Sequence, residues 1–154
     1  MIKIASHPVW QVGFRPFFAL ACISGAALPI LWVLIYSSTP ISTITLINAA
    51  VSPIRWHAHE MFYGFGWALL GGFLLTASKN WVGIRGRHGW FLIALTMLWI
   101  FDRIIFAFGF GWPPVAIYIC SSLFLFAIVI ALEIDLITHH SQDSYADNYY
   151  LILS

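Results

Sequence analysis

Charge is what this sequence has least of. Of 154 residues only 13 are charged, seven Lys or Arg and six Asp or Glu, which is 8% of the chain. Soluble domains carry about 25%, so the composition excludes an ordinary soluble enzyme and a disordered chain. The net charge of +1 supplies no field to hold a polyanion, so no nucleic-acid partner is expected. Cysteine is equally scarce: Cys22 and Cys120 are the whole complement, which is no disulfide framework. They fall at different depths of their predicted spans, and core packing is the expected role of each. There is no Gly-rich phosphate loop, no pair of acids and no evident nucleophile. No catalytic constellation is visible, and whether the chain is an enzyme stays open.

What is there is apolar. Hydrophobic residues make up 61% and aromatics 18%, with a mean hydropathy of +0.88. No charge occurs across the 39 residues between Arg15 and Arg55, the 18 between Glu60 and Lys79, or the 29 between Arg103 and Glu133. A bilayer core takes about 20 apolar residues per helix. Four spans are predicted, at 17–36, 57–78, 89–109 and 113–137. The first is too long for a signal-peptide core of roughly 7–15 residues and lacks a small-x-small cleavage site. Residues 124–132 show none of the period-two alternation of a barrel strand, and backbone groups in lipid must be satisfied within the segment. The fold class is therefore all-α, a polytopic transmembrane helix bundle in a single region over 1–154. The 37–56 loop is mildly apolar and is expected along the outer surface. Residues 148–154 read as the start of a fifth span that stops after about one turn, so the chain reads as the N-terminal portion of a longer fold or a truncated product.

Lys and Arg set the orientation. Lys3, Arg15, Lys79, Arg85 and Arg87 fall on one side and Arg55 alone on the other, which predicts a cytoplasmic N-terminus. Glu133, Asp135, Asp143 and Asp147 give the last cytoplasmic segment an acidic character that breaks the pattern, but acids count little in this rule. Trp10, Trp81 and Trp90 are expected at the inner interface, Trp56 and Trp112 at the outer one.

Chemistry concentrates at Trp56-His57-Ala58-His59-Glu60-Met61. Imidazole suits copper, zinc and haem iron. Residues two apart on a helix point about 200° apart, so His57 and His59 cannot chelate one ion from a regular helix. His57 shares a face with Glu60, and His59 with Tyr63. The alternative is interfacial histidines bonded to headgroups or a loop. His7, His88, His139 and His140 lie on the other side, the last two as a solvated helix end. Asp102 and Arg103 sit inside the third span at an insertion cost of about 2.5–3.5 kcal/mol each. They are either functional or half of an interhelical salt bridge. As sequence neighbours they are not expected to face one another, whereas Glu60 and Arg103 are expected to pair across the second and third helices. Gly64, Ala68, Gly71 and Gly72 are spaced as a packing seam.

Three stretches together resemble the NnrS family of polytopic bacterial membrane proteins: His-Pro-Val-Trp-Gln-Val-Gly-Phe-Arg-Pro-Phe-Phe at 7–18, Trp-His-Ala-His-Glu-Met-Phe-Tyr-Gly-Phe at 56–65, and Gly-Phe-Leu-Leu-Thr-Ala-Ser-Lys-Asn-Trp-Val-Gly at 72–83. Arg103 fits as well. His7, Arg15, His57, His59, Glu60 and Arg103 match the family's motif positions. The resemblance implies haem and copper as cofactors, with cofactor-binding roles for His57, His59, His7, Glu60 and Arg103 and metal ligation by His57 and His59. It implies a link to nitric oxide metabolism and nitrosative-stress protection, with nitric oxide as a partner, in the bacterial inner (plasma) membrane. It covers only the N-terminal part of the family's longer fold. A homo-oligomer or further C-terminal helices would complete the bundle. Two other readings stand beside it: a solute or ion transporter built on Glu60, Asp102 and Arg103, and a non-functional truncated remnant.

Overall fold

The computed structural model describes residues 4–37 and 52–139. Among them there is no strand, and four helices are long and apolar enough to cross a membrane. They are α1 (Phe14–Tyr36), α2 (Pro53–Trp81), α3 (Trp90–Phe108) and α4 (Pro114–Thr138). Each predicted span is found, with the second extended at both ends. The 38–51 part of the predicted outer loop, His140 and the start of a fifth span at 148–154 lie outside the described residues.

The helix ends follow local chemistry. Ser52 caps α2, its Oγ accepting from the Arg55 N–H at 3.4 Å, and Pro53 opens the first turn, where a missing N–H costs nothing. Gly109 closes α3 at φ 68°, a left-handed cap that favours glycine. Pro113 and Pro114 then start α4. The first N–H of α1 is satisfied from a neighbouring helix: Phe14 N donates to Thr76 Oγ1 at 2.9 Å.

Contacts at one end gather the N-terminal arm, the end of α2, the start of α3 and the end of α4. Gly89 N donates to the Trp10 carbonyl at 2.6 Å. Arg85 Nη2 donates to Gln11 Oε1 at 3.3 Å. Arg87 grips Asp135 with two parallel bonds, Nε to Oδ2 at 3.0 Å and Nη2 to Oδ1 at 2.8 Å. Arg15, Lys79, Arg85 and Arg87 thus share one end and Arg55 stands at the other, the asymmetry read from the sequence. The Arg87 fork also accounts for one acid of the final segment, since Asp135 neutralises a cation of the loop.

The interior is a narrow apolar core. Phe17, Ala21, Ala68, Leu95, Phe124 and Ile128 belong to its main cluster. The seam on α2 is real. A Cβ on Gly72 would lie 2.8 Å from Phe17 Cβ, and one on Gly71 2.5 Å from Ile128 Cδ1. In lipid, such close approach stands in for the hydrophobic drive that water supplies elsewhere. Outward faces carry large apolar side chains, among them Ile23, Phe73, Met97 and Phe126, as a bilayer requires.

Two expectations are corrected. Cys22 is exposed on the apolar outer face of α1, while Cys120 is half-buried against the second core cluster. Helix rotation, not depth, decided this. Trp56, at the outer end of α2, is buried with Leu28, Ile105, Phe106 and Ile117 and faces the bundle, not the membrane surface. Because α2 begins at Pro53, Trp56 already lies within its first turn and turns inward. Trp90 and Trp112 are exposed at opposite ends, as predicted.

Candidate functional site

Residues Glu60–Gly66 of α2 form a π-helical stretch. Its i→i+5 bonding sets successive side chains closer in angle than the roughly 100° of an α-helix. His59 and Glu60, neighbours in sequence, therefore both turn inward, at 7% and 4% exposure. Asp102 of α3 meets them at 2%. The apolar surroundings exclude water, so these groups must find partners in one another.

They do so through Arg103. Its Nε stands 3.1 Å from Glu60 Oε2, and its Nη2 is bonded to Asp102 Oδ2. The Glu60–Arg103 pair across α2 and α3 is the one predicted. The Asp102–Arg103 contact overturns the expectation that these neighbours do not meet. Backbone directions do diverge at adjacent helical positions, but the long Arg side chain folds back, drawn by two buried carboxylates.

Gly64 gives this pair its space. A Cβ there would lie 2.9 Å from Glu60 Oε2 and 3.1 Å from Arg103 Nη1. Trp99 braces both sides: its indole N–H donates to the Gly64 carbonyl at 3.0 Å, and the Arg103 guanidinium lies 5.1 Å from its ring centroid.

His59 completes the cluster. Nε2 lies 3.1 Å from Ser121 Oγ on α4 and 3.8 Å from Asp102 Oδ1. Nδ1 lies 3.5 Å from Glu60 Oε1. The ring is stacked between Phe106, at 3.5 Å and 6°, and Tyr63, at 4.8 Å and 22°. Nε2 thus has a hydrogen-bond partner in Ser121, Nδ1 is buried without one and has only the Glu60 carboxylate at ion-pair distance, and aromatic rings stack on the imidazole.

His57 points elsewhere. It is half-buried and stacks on Trp32 of α1, with ring centroids 4.3 Å apart. Its Nδ1 is buried without a hydrogen-bond partner. The divergence of His57 from His59 is the one expected from their spacing. The face expected to be shared by His57 and Glu60 is not used as such, because the π-helical stretch carries Glu60 toward Arg103. Among the described residues, no three His, Cys, Asp or Glu side chains gather as a metal cage.

The remaining candidates lie at the other end. His7 is exposed and caps a short 3-10 turn, its Nδ1 accepting from the Val9 N–H at 3.4 Å. Arg15 donates to the Pro8 carbonyl at 2.7 Å. Neither comes near His57, His59, Glu60 or Arg103. His139 closes α4, with its Nδ1 3.0 Å from the Asp135 carbonyl. Ser121, Trp32, Trp99 and Gly64 were not singled out as partners in the sequence. Ser121, polar within an apolar run, left a signal there, and Gly64 was legible only as part of the packing seam.

This geometry defines a multi-pass α-helical membrane protein with an ionic cluster buried between three of its helices. The family model described as NnrS protein matches residues 8–153, and the chain belongs to that family. All three motif blocks fall within the match apart from His7, which lies just before it. No match is found among curated proteins or among solved structures.

Proposed function

We propose that this chain binds haem or copper in the bacterial inner membrane, N-terminus cytoplasmic, as part of nitric oxide metabolism and protection from nitrosative stress. Family membership supports the reading. The observation that carries it is the Nδ1 of His57, a buried imidazole nitrogen with no hydrogen-bond partner. Orphaned buried nitrogens are costly, and a metal relieves that cost. His57 is the residue that fits a ligand, held in place by the Trp32 ring. His59 fits less well. Its Nδ1 is likewise buried without a hydrogen-bond partner, but its ring is stacked on Phe106 and Tyr63 and its nitrogens already face Ser121, Asp102 and Glu60, so its part is to hold the cluster that positions the start of α2. When bound, haem iron or copper supplies a centre that takes up nitric oxide. One imidazole is not a full coordination set, so further ligands come from a second copy or from additional helices of the family fold.

The transporter alternative needs a polar path through the bundle. Glu60, Asp102 and Arg103 instead engage one another at one depth, which favours a bracing role.

The test is the haem absorbance and copper content of the purified protein and of His57→Ala, His59→Ala and His139→Ala. Loss in His57→Ala, partial loss in His59→Ala and retention in His139→Ala is the expected pattern. Equal loss in all three, or cofactor content that survives removal of both His57 and His59, overturns the assignment.

A further inference from the structure

At the Lys/Arg-rich end, the N-terminal arm, the last turn of α2 and the loop that follows enclose a cavity of about 490 Å³. Its wall carries Lys79, Arg85 and Arg87 together with the amides of Gln11 and Asn80, and none of its lining residues is Asp or Glu. The three cations are not equivalent. Arg87 is matched by the two-bond grip on Asp135. Arg85 is oriented by the neutral Gln11 amide oxygen at 3.3 Å, which holds the guanidinium without cancelling its charge. Lys79 has no carboxylate at ion-pair distance among the described residues. Two unmatched positive charges and several donors therefore face one open cavity. Such a wall selects an anion, and an Arg beside a Lys suits a phosphate.

A second hollow lies against the first and shares Gln11 and Arg85 with it, but its wall includes the apolar Ile4, Trp90 and Phe91. Ile4 and Trp90 are strongly exposed there. Trp90 opens α3, the helix end at which a membrane-interface tryptophan is expected. A free phosphate would use the cationic hollow alone. An amphiphile with a phosphate head would use both, with Arg85 at the junction.

We propose that these joined hollows bind an anionic phospholipid, its phosphate on Lys79 and Arg85 and its glycerol and upper chain along Ile4, Trp90 and Phe91. Basic pockets between transmembrane helices recognise acidic headgroups in this way. The bound lipid would brace the arm against the loop, since Gln11 and Arg85 belong to one each. The site lies at the end of the bundle opposite His57 and does not depend on the cofactor reading.

The full chain, purified in a neutral maltoside detergent, is offered phosphatidylglycerol or phosphatidylcholine of equal chain length, and retained lipid is counted by native mass spectrometry. Phosphatidylglycerol should be retained in preference. Lys79→Gln and Arg85→Gln should each weaken retention about five-fold, while Lys79→Arg, Arg85→Lys and the distant Arg55→Gln should preserve it. Equal retention of the two lipids by the unaltered protein overturns the proposal without recourse to any variant. So does retention indifferent to neutralising Lys79 and Arg85. Displacement of the lipid by an equal concentration of inorganic phosphate would assign the cavity to a free anion and overturn the lipid assignment.

Discussion

Arg103 Nε lies 3.1 Å from Glu60 Oε2 and joins α3 to the π-helical stretch of α2. Glu60 is seven residues below Pro53 and Arg103 six below Gly109, depths of about 10 and 9 Å at ~1.5 Å per residue. By that measure the pair is level within the bundle, and both side chains are largely shielded, at 15% and 6% exposure for Arg103 and Glu60.

Removing one member should therefore be expensive. Glu60→Gln is expected to cost about 3–5 kcal/mol, the range for breaking a buried pair. Arg103→Gln should cost more, because it strands Glu60 and Asp102 together. The double variant should recover part of the loss. Yield of monodisperse protein and thermal unfolding in detergent are the readouts. A double variant no better than the sum of the singles would mean each charge has another partner.

Gly64→Ala removes no charge but intrudes on the same pair. Its Cβ would stand 2.9 Å from Glu60 Oε2, and overpacking of this kind costs about 1–3 kcal/mol. Unfolding temperature should fall. An unchanged value would show that the ion pair can shift without loss.

The packing seam on α2 should be less forgiving at Gly72, which faces α1, than at Gly71, which faces α4. Gly72→Ala drives a Cβ against Phe17 Cβ, which cannot move without its helix, whereas Gly71→Ala meets Ile128 Cδ1, the far end of a flexible chain. The larger fall in unfolding temperature is expected for Gly72→Ala, by about 1–3 kcal/mol in stability. The reverse ranking would mean that α1 is free to shift and α4 is not.

Arg87 and Asp135 tie the loop after α2 to the end of α4. Their charge-assisted bonds are worth about 1.5–3 kcal/mol each at most, less here because the Arg87 side chain is 27% exposed. Arg87→Gln or Asp135→Asn should leave the bundle folded and speed tryptic cleavage after Arg85. Cleavage at the original rate would show the loop to be held by the arm alone.

Topology is tested by fusion. A reporter placed after Ser38 should read as external and one after Gly86 as cytoplasmic, from the five-to-one Lys/Arg count. The opposite pattern inverts the orientation.

The Glu60–Arg103 pair was legible because it depends on quantities that sequence carries, a short loop and two depths. The Asp102–Arg103 contact was not, because side-chain reach and the pull of buried carboxylates override the direction in which adjacent residues leave a helix. Likewise, the spacing of His57 and His59 foretold that they diverge. It did not foretell that Trp32 would stack on one ring while Phe106 and Tyr63 enclose the other, since those rings arrive from other helices or through the widened turn.

Sequence alone determined the four apolar spans, their up-and-down order and the asymmetry of Lys and Arg between the two ends, because transfer of side chains and backbone into lipid is a local property summed along the chain. The tertiary structure decided which face of each span turns inward. That choice depends on close approach at Gly71 and Gly72, on the π-helical stretch that brings Glu60 beside His59, and on the need of every charge at that depth for a partner. Those conditions exist only between helices, so Cys22 faces outward, Trp56 lies buried, and Asp102 shares Arg103 with Glu60.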